Sequence, residues 1–154
     1  MTLGYSGGEA LVLARLQAIS GNVWTANNSG VGRWDLLNTG ASDHYAILYP
    51  GEGKSEFDAA AESLQTYQTI IQVWQAYVDD GTSVTNLESY IEAILHQYDI
   101  YRKLGDTGGT IYDSSITGYT KPEEMWDKNG DGPFWIRIEF TVEWKEQENV
   151  VFAE

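Results

Sequence analysis

Few residue sets in this sequence have types and spacing that could do chemistry. The sharpest is Asp127-Lys128-Asn129-Gly130-Asp131-Gly132. Asp127, Asn129 and Asp131 stand at alternate positions before Gly132, as in the first half of a calcium-binding loop, where side-chain oxygens surround a hard cation. The second half is missing. The loop's closing position, which needs a bidentate Glu, is Ile138; Glu139 comes one residue late, and a strand follows instead of a helix. The segment reads first as a hairpin loop of turn residues. The other reading is a calcium site on Asp127, Asn129 and Asp131.

Ser42-Asp43-His44 holds the three residue types of a hydrolytic triad. Consecutive residues cannot take the triad's geometry, and no Gly-x-Ser-x-Gly elbow supplies a nucleophile elsewhere. His44 and His96 are the two histidines, and neither has a partner at metal-ligand spacing, so zinc is not expected. Gly30-Val31-Gly32 and Gly105-Asp106-Thr107-Gly108-Gly109 do not lead from a strand into a helix, so they read as turns rather than phosphate cradles. Carboxylate pairs such as Asp79-Asp80 and Glu123-Glu124 need no special account in so acidic a chain. No catalytic constellation stands out. The expectation is a protein that is not an enzyme and needs no cofactor.

The elements that would position these residues must fit within 154 residues, the size of one domain, 1–154. There is no cysteine, which removes disulfides, thiolate metal sites and cysteine nucleophiles together. The start, Met1 to Gly8, lacks the basic and apolar blocks of a secretory signal, and no apolar run is long enough to span a bilayer. A soluble, cytoplasmic origin is expected. Twenty-three acidic residues against nine basic ones give a net charge of −14. Such a surface disfavours charge-driven nucleic-acid binding. It suits solubility, or a surface past which DNA moves without sticking.

Hydropathy patterning gives the order α-β-β-α-β-β. A short helix is expected over 10–19, with Val12, Leu16 and Ile19 on its stripe, Glu9 at its N-terminal end and Gly21 after it. Residues 20–42 lose periodicity and read as a long loop carrying Trp24 and Trp34. Residues 43–49 alternate as a strand, ended by Pro50-Gly51, and 50–62 form a second loop or arm. A strand follows over 65–77, with Tyr67, Ile71 and Val73 on one face and Gln68, Gln72 and Trp74 on the other. Asp79-Asp80-Gly81 reads as a turn. Thr85 and Glu88 form a capping box for a second helix, whose stripe is Leu87, Tyr90, Ile91, Ile94, Leu95 and Tyr98 and which Gly105 ends. Strands are expected over 110–119 and 134–144, the latter with Ile136, Ile138, Phe140, Val142 and Trp144 inward. The fold expected is α+β: a four-stranded antiparallel sheet with the helices packed on one face.

Several short strings in this frame carry a resemblance. They are Gln72-Val73-Trp74-Gln75, Asp79-Asp80-Gly81-Thr82-Ser83, Tyr101-Arg102-Lys103-Leu104-Gly105, Ile116-Thr117-Gly118 and Val142-Glu143-Trp144-Lys145. With their element order, the stretch 67–144 resembles the tail-terminator proteins of tailed-bacteriophage necks. The resemblance implies a virion subunit, made in the host cytoplasm, that forms a homo-oligomeric, hexameric ring. The ring would cap the tail tube and join it to the head through tail-tube and head-side neck proteins. DNA would pass through the lumen without specific binding, and no membrane is involved. Trp24, Trp34 and Trp74 are then interface candidates, the alternative for each being burial in the subunit's own core. Two other readings stay open: another phage ring protein of the tail tube or head-completion type, and a calcium-dependent binding module.

Overall fold

A computed structural model describes residues 3–58, 62–77, 79–125 and 135–149. The elements run α1 (Gly4–Gln17), β1 (Ser29–Val31), a 3-10 turn (Trp34–Asn38), β2 (His44–Asp58), β3 (Glu62–Ala76), α2 (Asp80–Ile100), β4 (Ile111–Tyr119), β5 (Glu123–Met125) and β6 (Trp135–Asn149). Among the described residues, all the strands join one six-stranded sheet, ordered β1-β2-β3-β6-β4, with β5 pairing β6.

The α+β class and both expected hairpins are present: β2 with β3, and β4 with β6, each antiparallel. The four-stranded antiparallel sheet is corrected in two ways. Ser29–Val31 adds a parallel edge strand beside Ala46–Leu48, so the sheet is mixed, and Glu123–Met125 adds a sixth strand beside Trp135–Arg137. Three residues are too few to show a period-two pattern in sequence.

The inward row of β6 is as expected. Ile136, Ile138, Phe140, Val142 and Trp144 are buried, with Ile71 and Val73 of β3 beside them. Val12 and Leu16 of α1 and Leu87, Ile94 and Tyr98 of α2 pack on this same face, so both helices share one layer. They are tied to each other as well. Tyr98 Oη donates to the Val12 carbonyl at 2.6 Å, and Gln97 Nε2 to the Arg15 carbonyl at 2.8 Å. The other face carries a smaller cluster of Leu36, Tyr45, Ile47 and Trp74, closed by Leu37, Met125 and Trp135.

The helix starts differ from expectation for one shared reason: carboxylates distant from the apolar stripes cap them. Asp79 accepts from Thr82 N at 2.8 Å, so α2 begins at Asp80 and the Thr85–Glu88 pair sits inside it. The first helix begins at Gly4, not Ala10, and has no cap of its own. Instead the fully buried Glu146 of β6 accepts from Leu3 N at 3.2 Å and Gly4 N at 3.4 Å. A carboxylate there satisfies orphan donors and complements the positive end of the helix. Glu9, expected at that end, lies inside the helix and is buried.

The two expected loops are mostly built structure. Within 20–42, Asn28 Oδ1 accepts from Thr25 N and its Nδ2 donates to the Val23 carbonyl, folding the chain back into β1. Within 50–62, β2 continues through Pro50-Gly51 to Asp58, with a register shift between Pro50 and Gly53. A bulge is where a sheet tolerates proline.

This continuation makes an arm. Tyr5 Oη donates to the Gly51 carbonyl and its ring meets Tyr67 and Trp144 edge-on, while the helix start, Leu3 and Gly4, lies over the Ser55–Gln65–Glu146 rung on the Glu146 carboxylate. Past it, β2 and β3 stay paired from Glu56–Leu64 to Asp58–Glu62, and β6 pairs alongside to Asn149. Three rungs at about 3.4 Å each carry the ribbon about 10 Å beyond the start of the helix.

Candidate assembly surfaces

The three tryptophans nominated from sequence have three different environments. Trp24 is 1% exposed and belongs to the main core, its ring 5.1 Å from that of His44 and 5.2 Å from that of Tyr90. It is therefore withdrawn as an interface candidate; the Val23–Asn28 turn drives it inward. Trp74 is nearly buried in the second cluster, edge-on to Trp135, with the Arg137 guanidinium 5.5 Å above its ring and its Nε1 donating to Gln72. Trp34 is 47% exposed, packed at 5.5 Å on Tyr49. Of the three, Trp34 alone offers a large apolar face to a partner.

Asp127, Asn129 and Asp131 lie outside the described residues. Among the described residues, no group of three or more His, Asp or Glu side chains could hold a metal ion. Ser42, Asp43 and His44 do meet, but not as a relay. Asp43 Oδ1 at 2.7 Å and Ser42 Oγ at 3.3 Å both face Nδ1, while Nε2 faces the Val23 carbonyl at 2.7 Å and Asn28 Nδ2 at 3.1 Å. A triad needs its orienting acid and its nucleophile on opposite nitrogens. Here the imidazole ties the Val23–Asn28 turn to β2, stacked against Tyr90. Burial, reinforced by the charge of Asp43, pushes the Tyr90 phenol up to about 12.

The sheet face opposite the helices continues outward from Trp34 as a polar row. Tyr49 Oη donates to Glu139 Oε2 at 3.0 Å, and Gln72 Nε2 reaches Glu139 Oε1 at 3.5 Å. Gln68 Nε2 donates to Glu143 at 3.4 Å, and Arg137 donates to Glu123 at 2.8 Å. Burial first, then the Glu139 carboxylate, raises the Tyr49 phenol above its usual value. The result is a flat hydrogen-bonded surface with an aromatic step at one side, able to dock a partner and carrying no activated nucleophile.

No family model matches the chain, and comparison with characterised proteins finds no match.

A further surface was not singled out in the sequence. Leu95, His96, Tyr98, Asp99 and Arg102 of and just after α2, with Ser115 and Ile116 of β4, line an open groove of about 410 Å³. Arg102 spans its end, donating twice to Asp113. Large side chains stand exposed nearby: Ile100, Tyr101, Tyr112 and Tyr119. Nothing in the strand's own residues signals it; β4 carries Asp113 and two register shifts, between Ile111 and Asp113 and between Ile116 and Gly118. Among the described residues, no helix is long and apolar enough to cross a membrane.

Proposed function

We propose that this chain is a structural ring subunit of a tailed-phage neck: a tail terminator that caps the tail tube, joins tail to head and lets DNA through its lumen. The observation that carries the reading is the three-stranded arm. Paired strands running about 10 Å beyond the start of the helix layer add little to the subunit's own core. They do supply reach toward a neighbour. Exposed Trp34 supports the same reading, since it offers an apolar face to a partner. The net charge of −14 suits a passage that DNA must cross without being held.

The test is tube assembly. Purified tail-tube subunits are polymerised with and without this chain, and tube lengths are read by electron microscopy. Tubes that stop growing and carry one added ring at an end support the terminator reading. Tubes of unchanged length without an added ring sink it.

A further inference from the structure

A second groove, of about 410 Å³, lies along the N-terminal half of α2. Val84, Leu87 and Ile91 line it from the helix, and Pro122 and Ile136 from the sheet side. Val84 is 50% exposed, so the apolar lining is open to a partner. The charged residues in the lining, Glu88 and Glu124, are both carboxylates and both exposed. Among the described residues neither has an ion-pair partner. Lys121 precedes Pro122 without lining the groove. An apolar slot rimmed by unpaired carboxylates fits a surface that brings an apolar side chain beside a cation.

The other end of the same helix presents that combination. Ile100 and Tyr101 are 55% and 39% exposed. The Arg15 guanidinium of α1 lies 4.9 Å over the Tyr101 ring. A Cβ on Gly105 would come within 3.1 Å of Arg15 Cζ, so the glycine leaves the guanidinium its place. Stacking fixes the planar group before any partner arrives. Arg15 Nε is buried without an acceptor. Of the chain's four arginines, Arg33, Arg102 and Arg137 are paired with Asp35, Asp113 and Glu123, whereas Arg15 has no carboxylate partner among the described residues. The nearby acids are otherwise engaged. Asp99 lines the separate groove toward β4 with Arg102, and Asp106, beside Lys103, accepts from the backbone N–H groups of Gly108, Thr110 and Ile111.

The two ends cannot meet within one copy, because Leu87 and Ile100 stand about 20 Å apart along the helix axis. We infer that Ile100 of one copy enters the groove between α2 and β5 of a neighbouring copy, where the Arg15 guanidinium meets Glu88 and Glu124. Donor and acceptor surfaces differ, so the contact is heterologous and can propagate around a ring. This inference rests on the ring-subunit reading and assigns that reading one of its contacts.

The absence of cysteine makes the test clean. Two full-length variants at exposed positions, Val84→Cys and Ile100→Cys, are mixed and oxidised mildly, and each is also oxidised alone. The expected result is a covalent dimer containing one copy of each, with little dimer from either variant alone. A third variant, Glu88→Lys, places a like charge opposite Arg15 and should raise the concentration needed for assembly about tenfold or more. Glu88 is exposed, so the variant's far-ultraviolet circular dichroism should stay that of the parent. In a chain that assembles, either the lack of a mixed cross-link or a Glu88→Lys variant that assembles like the parent overturns this contact and leaves the ring reading standing. A chain that stays monomeric at every concentration overturns both.

Discussion

Replacing Gly8 with Ala sets two opposed effects against each other at the contact between α1 and the sheet. Gly8 is buried within the helix, and an added Cβ would lie 2.2 Å from Trp144 Cζ2 and 2.4 Å from Cε2. The obstacle is the body of a fully buried indole, packed at 5.4 Å on Tyr67, so it cannot swing aside. Overpacking of this kind costs about 1–3 kcal/mol. Helix propensity favours Ala over Gly by up to about 1 kcal/mol. The clash wins, with a net loss of about 1–2 kcal/mol, or a melting temperature lower by about 2–8 °C for a domain of this size. Gly81→Ala is the control. It lies in the first turn of α2, where the new methyl meets only Asp79 Oδ1 at 3.6 Å, so a gain of about 0.4–1 kcal/mol is expected. Thermal unfolding of the two variants beside the parent reads both signs. A Gly8→Ala variant as stable as the parent, or more so, would refute the placement of α1 against Trp144.

Other perturbations follow from individual contacts. Tyr98→Phe removes the bond to the Val12 carbonyl and should lower stability by about 0.5–1.5 kcal/mol in urea unfolding; no loss would mean the helices are not tied there. Burial raises the Glu9 carboxyl above the ordinary glutamate value, so the folded state binds that proton more tightly than the unfolded chain does. The sign follows: this contribution is fully present below the unfolded value and is lost as pH rises through the folded one. Glu9→Gln should therefore be more stable than the parent at pH 7, with the difference shrinking as pH falls to 4; a parent advantage at pH 7 would contradict this. Trp34→Ala should change subunit stability by less than about 0.5 kcal/mol, as for an exposed substitution, yet weaken assembly measured by sedimentation. Unchanged assembly would remove Trp34 from the interface.

What was legible in the sequence was whatever repeats. The alternation from Ile136 to Trp144 and the stripe from Leu87 to Tyr98 give β6 and α2 at once, because one face of each must be buried. What depends on a distant partner was not legible. Glu146 caps α1 from the far end of the chain, so local sequence places the helix start at Ala10 instead of Gly4. The strand through Pro50-Gly51 survives because β3 and β6 provide a long template for it, which overrides a local turn signal. At the candidate surfaces, exposure decides the matter, and exposure is a tertiary property. Trp24 and Trp34 share one aperiodic segment, yet one enters the core and the other faces outward. The groove beside β4 needs α2 and an edge position together, and neither is written in the strand's own residues.

The most direct test of the central claim is the mass of the purified protein in solution, alone and with tail-tube subunits, by sedimentation or light scattering. A closed ring, or monomers that form a single ring on meeting a tube end, is the result this account expects. A monomer that keeps its mass at every concentration and ignores tubes would contradict it.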